Sequence, residues 1–311
     1  MHHNYLRHRF RVWHLLLFFL VVFLAGFWWG ERIEVVRIHL PPAATNQSFQ
    51  FAVLSDIHIG ANGHGISRWK RAMAMVNREQ PDAILLLGDY VTSHKGIPAL
   101  DDALKGIHAP LGVYAVLGNH DHWAGSEAVA EALGRHGIEV LNNRAVCLRK
   151  AQDEVWLVGI DDLWSGKPDW QRAFRGGPPG AKVILLSHNP DAALAPQREK
   201  ASLILCGHTH GGHIWLPLVW LLSRAAGFSL IPHTTYGSRY PHGLRRERAT
   251  WVYVTKGVTA GNRLPRWFNA REVVIVEVGH PPMPKDAPST LANRNPSRRR
   301  VPFNGQFQRS R

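Results

Sequence analysis

Three histidines lie close together about two thirds of the way along the chain. His208, His210 and His213 fall within six residues, in a glycine-containing run directly after the apolar segment Leu203–Cys206. Imidazole is the commonest side-chain metal ligand, and glycine lets the backbone turn tightly enough to aim several ligands at one point. His208 and His210 are two residues apart, so an extended backbone would point them the same way. Histidine-rich loops also occur as plain surface, and this run alone leaves both interpretations open.

Four other apolar segments also end in residue types that bind metals. They end in Asp56 and His58, in Asp89, in Asn119 and His120, and in His188. In sheet proteins of this kind, ligands collect at the carboxyl ends of the strands. An Asp after a strand is usually a turn or cap residue, but five strand ends of the same type make that explanation improbable. Mixed Asp, His and Asn ligands suit Mn, Fe or Zn better than an all-oxygen calcium site or a thiolate zinc site.

The number of candidate ligands exceeds what one metal ion needs. Two divalent ions about 3.5–4 Å apart, bridged by a carboxylate, would use them all. Such a pair clamps a phosphoryl group and lowers the pKa of a bridging water, which then attacks phosphorus. The sequence contains no Ser-His-Asp arrangement or Walker-type phosphate loop that would favour another chemistry. The residues therefore predict a phosphoester hydrolase with two divalent metal ions.

Alternating strands and helices must position these ligands. The pattern predicts helices over 66–78, 98–106 and 126–135, and an α/β domain with more than one sheet layer. The predicted strands are 49–54, 83–87, 112–117, 138–140, 145–148, 155–160, 182–186, 203–206, 250–254 and 272–278.

Outside this domain, composition divides the chain into four further segments. Residues 1–11 are basic, 12–30 are long and apolar enough for a transmembrane anchor, 31–48 are expected to be a linker, and 280–311 form a basic tail expected to be disordered. The metal-binding domain is then 49–279. A cleaved signal peptide is the alternative for 12–30, but Trp28 and Trp29 stand where a small-residue cleavage site should be. Arginines before the span favour an exported domain.

The chain is strongly basic, with a formal net charge of +14. This charge favours anionic partners such as a phospholipid surface or a phosphate-bearing substrate; nucleic acid is less favoured because the excess lies largely near the chain ends. The two cysteines, Cys147 and Cys206, cannot form a disulfide framework. No pattern in the sequence points to a protein partner.

The motifs resemble those of the calcineurin-like metallophosphoesterase family. They are Asp56-x-His58, Gly88-Asp89, Gly118-Asn-His-Asp121, Ser187-His-Asn-Pro-Asp191 and Gly207-His-Thr-His-Gly-Gly212, in the family's order. After a membrane anchor, this combination is similar to the bacterial membrane-associated branch, which includes phosphodiesterases and relatives of UDP-diacylglucosamine hydrolases. The resemblance implies a four-layer α-β-β-α sandwich.

The resemblance also implies a role for each motif residue. One metal would be held by Asp56, His58, Asp89 and His210, and the second by Asp89 as a bridge with Asn119, His188 and His208. His120 would donate to the phosphate or protonate the leaving oxygen, with Asp121 orienting it. His213 stands where relatives of this branch usually carry glutamine, and it is expected on the substrate side. The segment Thr255–Asn262 is less close to the family's usual form.

The substrate remains open at this point. The apolar segment Ile214–Leu222, directly after the ligands, is either ordinary core or a lip that touches a membrane or an acyl chain. A lipid-linked pyrophosphate or phosphodiester fits the anchor and the positive charge, whereas a small soluble phosphodiester fits the ligands equally well. A non-catalytic membrane scaffold is the alternative outside the enzymes, although a scaffold has no need for a complete ligand set.

Overall fold

A computed structural model describes residues 2–40, 48–176, 182–212, 240–259 and 266–279, with side chains from residue 13 onward. The helices are α1 (His2–Gly30), α2 (Ile66–Glu79), α3 (Ile97–Ala103), α4 (Asn119–Gly134) and α5 (Trp170–Ala173). The strands are β1 (Ile33–Leu40), β2 (Phe49–Leu54), β3 (Ala83–Leu86), β4 (Val113–Ala115), β5 (Ile138–Val140), β6 (Arg144–Lys150), β7 (Asp153–Gly159), β8 (Val183–Leu186), β9 (Leu203–Cys206), β10 (Gly243–Glu247), β11 (Thr250–Val254) and β12 (Arg271–Val278).

The strands form two six-stranded sheets. One has the order β1-β12-β2-β3-β4-β5 and the other β10-β11-β9-β8-β7-β6. The strands β2 to β5 of the first sheet pair in parallel, as do β7, β8, β9 and β11 of the second. Parallel neighbours end at the same edge of their sheet, so the polar residues that follow them are brought together.

The two faces of β2 show how the layers pack. Phe51 and Val53 are buried in an apolar cluster shared with β8 and β9, which lies between the two sheets. Ala52 and Leu54 face the opposite way, into a cluster with side chains of α2, α3 and α4. A third cluster covers the outer face of the second sheet with α5 and short 3-10 helical turns. The predicted α/β fold with two packed sheets and helical outer layers is confirmed.

Several elements differ from the sequence-based expectation. Residues 33–40, placed in the linker, form strand β1, which pairs in parallel with β12 along its whole length. Helix α4 begins at Asn119 rather than at 126, because a left-handed Gly125 (φ 109°) joins a short first turn to the predicted helix. Strand β10 was not predicted, since three of its five residues are charged. The segment 214–222 and the tail 280–311 lie outside the described residues.

Candidate metal centre

The predicted ligands follow five strands from both sheets. Asp56 and His58 come after β2, Asp89 after β3, Asn119 and His120 after β4, His188 after β8, and His208 and His210 after β9. The loops are tied together by their backbones: Asp56 N–H donates to Gly88 O (3.0 Å) and Gly207 N–H donates to His188 O (3.0 Å). The two sheets therefore deliver their strand ends to one shared site.

The backbone at this site adopts a conformation that side chains other than glycine rarely take. Five of the ten non-glycine residues with positive φ in the described chain are predicted ligands: Asp56 (56°), His58 (48°), Asp89 (57°), His208 (73°) and His210 (52°). Each such residue costs of the order of 1 kcal/mol or more, and such residues concentrate where function requires them. The strain turns each side chain inward directly after its strand.

One group of candidate ligand atoms comes from Asp56, His58 and His210, which lie within 4.8 Å of one another. The Nε2 atoms of His58 and His210 are 3.2 Å apart. Oδ1 of Asp56 lies 3.5 Å from His210 Nε2 and 3.9 Å from His58 Nε2. Three ligand atoms therefore converge on one point.

A second group comes from Asp89, His188 and His208. Nε2 of His188 lies 3.1 Å from Nδ1 of His208. Asp89 Oδ2 is 3.3 Å from His188 Nε2 and 3.4 Å from His58 Nε2. This one oxygen therefore lies between the two groups, as a bridging carboxylate would.

Two backbone carbonyls fix which ring nitrogen faces the site. Nδ1 of His188 donates to Leu87 O (2.7 Å), and Nδ1 of His210 donates to Thr259 O (3.2 Å). Because a carbonyl can only accept, the neutral rings carry their proton on Nδ1 and point the Nε2 lone pair at the centre. This is the usual outer support of a metal-binding histidine.

The buried carboxylates make the centre attractive to cations. Burial is the largest single influence on the pKa of His188 and lowers it, but the charge and hydrogen bond of Asp89, together with the charges of Asp56 and Asp162, outweigh burial and raise the pKa to about 10. Burial lowers the pKa of His58 to about 4, against the opposing charges of Asp89 and Asp56. In the metal-free protein a proton on His188 thus occupies the position that suits a metal ion.

The donor set passes a direct test for divalent metals. Oδ1 of Asp56 and Oδ1 of Asn119 are buried, and neither has a hydrogen-bond partner among the described residues. A buried carbonyl or carboxylate oxygen without a partner is costly unless it binds an ion. The atoms left over are the hard oxygen and imidazole donors that Mn, Fe or Zn bind.

The two residues predicted to be catalytic have different surroundings. One ring nitrogen of His120 lies within 4.8 Å of ligand atoms of His58 and Asp89. The carboxylate of Asp121, however, accepts backbone N–H groups of Asp89 and Gly118 at Oδ2 (2.8 and 2.9 Å) and of Tyr90 at Oδ1 (2.8 Å). Asp121 therefore holds the two ligand loops together, whereas Nδ1 of the His120 ring lies 3.4 Å from Thr92 O. The role of Asp121 in orienting His120 stays a prediction.

His213 lies outside the described residues.

Sequence reasoning missed two tryptophans beside the centre. Trp123 is 63% exposed and its ring lies 4.8 Å from that of His120. Trp164 is 44% exposed and its ring lies 5.1 Å from that of His208. Trp123 could have been found from its position three residues after His120, whereas no pattern marks Trp164.

Comparison with known proteins identifies the class of protein. Residues 49–212 match the family described as calcineurin-like phosphoesterase. The match covers more than half of the chain and includes all five predicted ligand motifs. The chain belongs to this family and is a metal-dependent phosphoric ester hydrolase.

Several relatives share most of the chain. It is 33% identical over 252 residues to the phosphodiesterase YaeI of Escherichia coli (strain K12), covering 79% of this chain and 88% of that protein. It is 35% identical over 242 residues to a transmembrane protein with metallophosphoesterase domain of Danio rerio, covering 72% of this chain and 52% of that protein. Among solved structures, a dimetal phosphatase from Danio rerio is 12% identical with a TM-score of 0.42, covering 68% of this chain and 88% of that one.

Proposed function

We propose that the chain is a phosphodiesterase or pyrophosphatase that uses two divalent ions and acts on a membrane-associated substrate. Asp56, His58 and His210 would hold one ion and Asn119, His188 and His208 the other, with Asp89 as a ligand shared by both. The observation that carries this assignment is the position of Asp89 Oδ2, 3.4 Å from His58 Nε2 and 3.3 Å from His188 Nε2. Mn, Fe and Zn all suit these ligands.

The residues of the chain have distinct tasks in the reaction. When bound, the two ions supply Lewis acidity to the phosphoryl group and lower the pKa of water between them. One ring nitrogen of His120 lies within 4.8 Å of ligand atoms of His58 and Asp89, so His120 would be placed to carry a proton to the leaving oxygen. The backbone N–H of His120 donates to Asp89 Oδ1 (2.9 Å). This hydrogen bond fixes the position of the proposed proton donor relative to the proposed bridging carboxylate. No covalent phosphoenzyme is required.

Trp123 and Trp164 form the substrate side of the site. The loop that carries Trp164 is fixed by Asp162, whose Oδ2 accepts the N–H groups of Trp164 (2.9 Å) and Ser165 (2.7 Å). Large exposed aromatic rings that are held in place offer an apolar face to a ligand. We propose that they contact the organic group of the phosphoester.

The position of the site relative to α1 supports a membrane-associated substrate. Trp13–Gly30 form a helical span of mean hydropathy 1.9, long and apolar enough to cross a membrane. Arg266 contacts both the end of this helix and the ligand His210: its carbonyl packs against Gly30 and its guanidinium lies 3.5 Å from His210 Nδ1. A single residue thus separates the proposed anchor from the proposed metal centre.

Hydrolysis of bis(4-nitrophenyl) phosphate tests the proposed function. In Mn²⁺ the full-length protein is expected to release 4-nitrophenol, and His208→Ala is expected to reduce the rate by several orders of magnitude. Cys147→Ala, far from the ligands in sequence and half-buried in β6, is the matched control. A His208→Ala protein as active as the control would contradict the assignment.

We further propose that α1 stays attached as a single-pass anchor and that the catalytic domain is exported. The arginines that precede the apolar stretch support this orientation. Reporter fusions to the C-terminus test it: a reporter active only outside the cytoplasm is expected. A reporter active only in the cytoplasm would reverse the orientation.

A further inference from the structure

The carboxyl-terminal end of α1 is packed against the catalytic domain. Within residues 13–30, Gly26 and Gly30 are the buried positions, and nearly all of the others are exposed. They are four residues apart and lie on one face of the helix. A Cβ on Gly26 would lie 2.2 Å from the Trp267 indole, and one on Gly30 would lie 2.1 Å from the Arg266 carbonyl oxygen. The two glycines thus form a notch that receives residues 266 and 267.

Hydrogen bonds hold this contact in register. Phe268 N–H donates to Gly26 O (2.9 Å), and the indole N–H of Trp267 donates to Phe23 O (2.9 Å). The guanidinium of Arg271 donates to Gly30 O, at the end of the helix where the macrodipole is negative. Glu31 pairs with Arg271 at 3.0 Å. The last two turns of α1 therefore pack and hydrogen-bond directly against the catalytic domain, in addition to connecting it to the rest of the helix.

The opposite side of the same segment holds a ligand of the metal centre. The guanidinium of Arg266 donates to Thr259 O at 2.5 Å, the same carbonyl that accepts Nδ1–H of His210. It also donates to Lys256 O. Asn269 Nδ2 donates to His210 O (2.8 Å). The segment 266–269 thus fixes both the ring and the backbone of His210.

Burying the charged side chain of Arg266 at this position costs free energy. It is fully buried, and its Nε and Nη1 have no hydrogen-bond partner among the described residues. Burial and the neighbouring charge of Arg271 lower the pKa of Arg266 to about 9, so it is still charged at neutral pH. A buried cation of this kind contributes little net stability, which argues that it serves geometry instead.

We propose that Arg266 is a positioning residue for His210, and that the docking of α1 at Gly26 and Gly30 holds Arg266 in place. The affinity of the metal centre for its ions then depends on the membrane anchor. This inference rests on the metal assignment made above, but it does not depend on which substrate is hydrolysed.

Mn²⁺ binding to the full-length protein in detergent micelles tests the proposal. Gly30→Ala adds one methyl group that the Arg266 backbone must move to accommodate, and Arg266→Met removes the donors while keeping an apolar stem. Both are expected to weaken one of the two Mn²⁺ binding steps by about 10- to 100-fold, the usual effect of losing an outer support of a ligand. Hydrogen exchange over 266–271 should be faster in Gly30→Ala.

Gly134→Ala is the matched control. Gly134 is also the last residue of a helix, α4, and a Cβ there would meet nothing within 4 Å. This variant is expected to bind Mn²⁺ as the wild type does.

Wild-type Mn²⁺ affinity in a folded Arg266→Met protein would overturn the proposal. So would faster exchange at 266–271 in Gly30→Ala with unchanged affinity. If Arg266→Met does not fold, Gly30→Ala decides the proposal by the same two measurements. A wild type that binds Mn²⁺ but hydrolyses no phosphoester would refute the proposed function alone, because affinity is measured without turnover.

Discussion

Replacing Asp89 by asparagine removes the charge at the middle of the centre while keeping the side-chain shape. In the metal-free protein, burial lowers the pKa of His188, but Asp89, with smaller contributions from Asp56 and Asp162, raises it from the ordinary 6.5 to about 10. That difference corresponds to about 5 kcal/mol at about 1.4 kcal/mol per pKa unit. The attraction within a charge pair 3.3 Å apart is itself about 5 kcal/mol at an effective dielectric constant of about 20, so Asp89 can supply a large part of the free energy that offsets burial.

The sign of the pH dependence follows from the raised pKa. A group with a higher pKa in the folded state stabilises that state fully below its unfolded pKa, and the contribution is lost as pH rises through the folded pKa. The metal-free wild type should therefore lose up to about 5 kcal/mol of unfolding free energy between pH 6.5 and 10 through His188. In Asp89→Asn, only the weaker charges of Asp56 and Asp162 still oppose burial, so the pKa of His188 is lower and this loss should be much smaller.

Urea unfolding of the metal-stripped proteins at several pH values between 6.5 and 9.5 measures the difference. The wild-type curve of unfolding free energy against pH should fall more steeply than that of Asp89→Asn. Parallel curves would refute the reasoning, because they would show that Asp89 does not hold a proton on His188.

Three further variants test other parts of the site. Gly207→Ala places a Cβ 2.0 Å from Ser55 Oγ and 2.8 Å from Asp56 Oδ2. We expect a stability loss of about 1–3 kcal/mol in thermal melts and at least tenfold lower activity. An active protein with a wild-type melting temperature would contradict this expectation. Trp123→Ala and Trp164→Ala should each raise KM for bis(4-nitrophenyl) phosphate about 2- to 10-fold, as expected for losing an aromatic contact of about 0.5–1.5 kcal/mol, with a smaller effect on a dialkyl phosphodiester. Equal changes for both substrates would contradict a role in contacting the organic group.

The architecture could be predicted because apolar periodicity and motif spacing are local properties. The strands before the ligands are short and buried on both faces, so they read as continuous apolar runs such as 83–86 and 203–206. Strand β1 was missed because it pairs with β12, more than 230 residues later in the chain. Its half-buried pattern carries little signal until that partner is known.

The candidate ligands could be named from the sequence, and the structure brings them together, but the contacts that support them could not be predicted. Asp, His and Asn residues at strand ends can be recognised as candidate metal ligands from their residue type alone. The partners of Asp121, the docking of Gly26 and Gly30, and the position of Arg266 depend on contacts between distant segments. Nor does residue type reveal that five ligands have positive φ, since that strain is imposed by the assembled loops.

Metal analysis of the purified full-length protein tests the central claim most directly. Two divalent ions per chain are predicted. The number of bound ions should fall in Asp89→Asn, because Oδ2 of Asp89 lies between the two ligand groups. A protein that binds no divalent ion, or a single ion that Asp89→Asn retains unchanged, would contradict a two-metal centre bridged by Asp89.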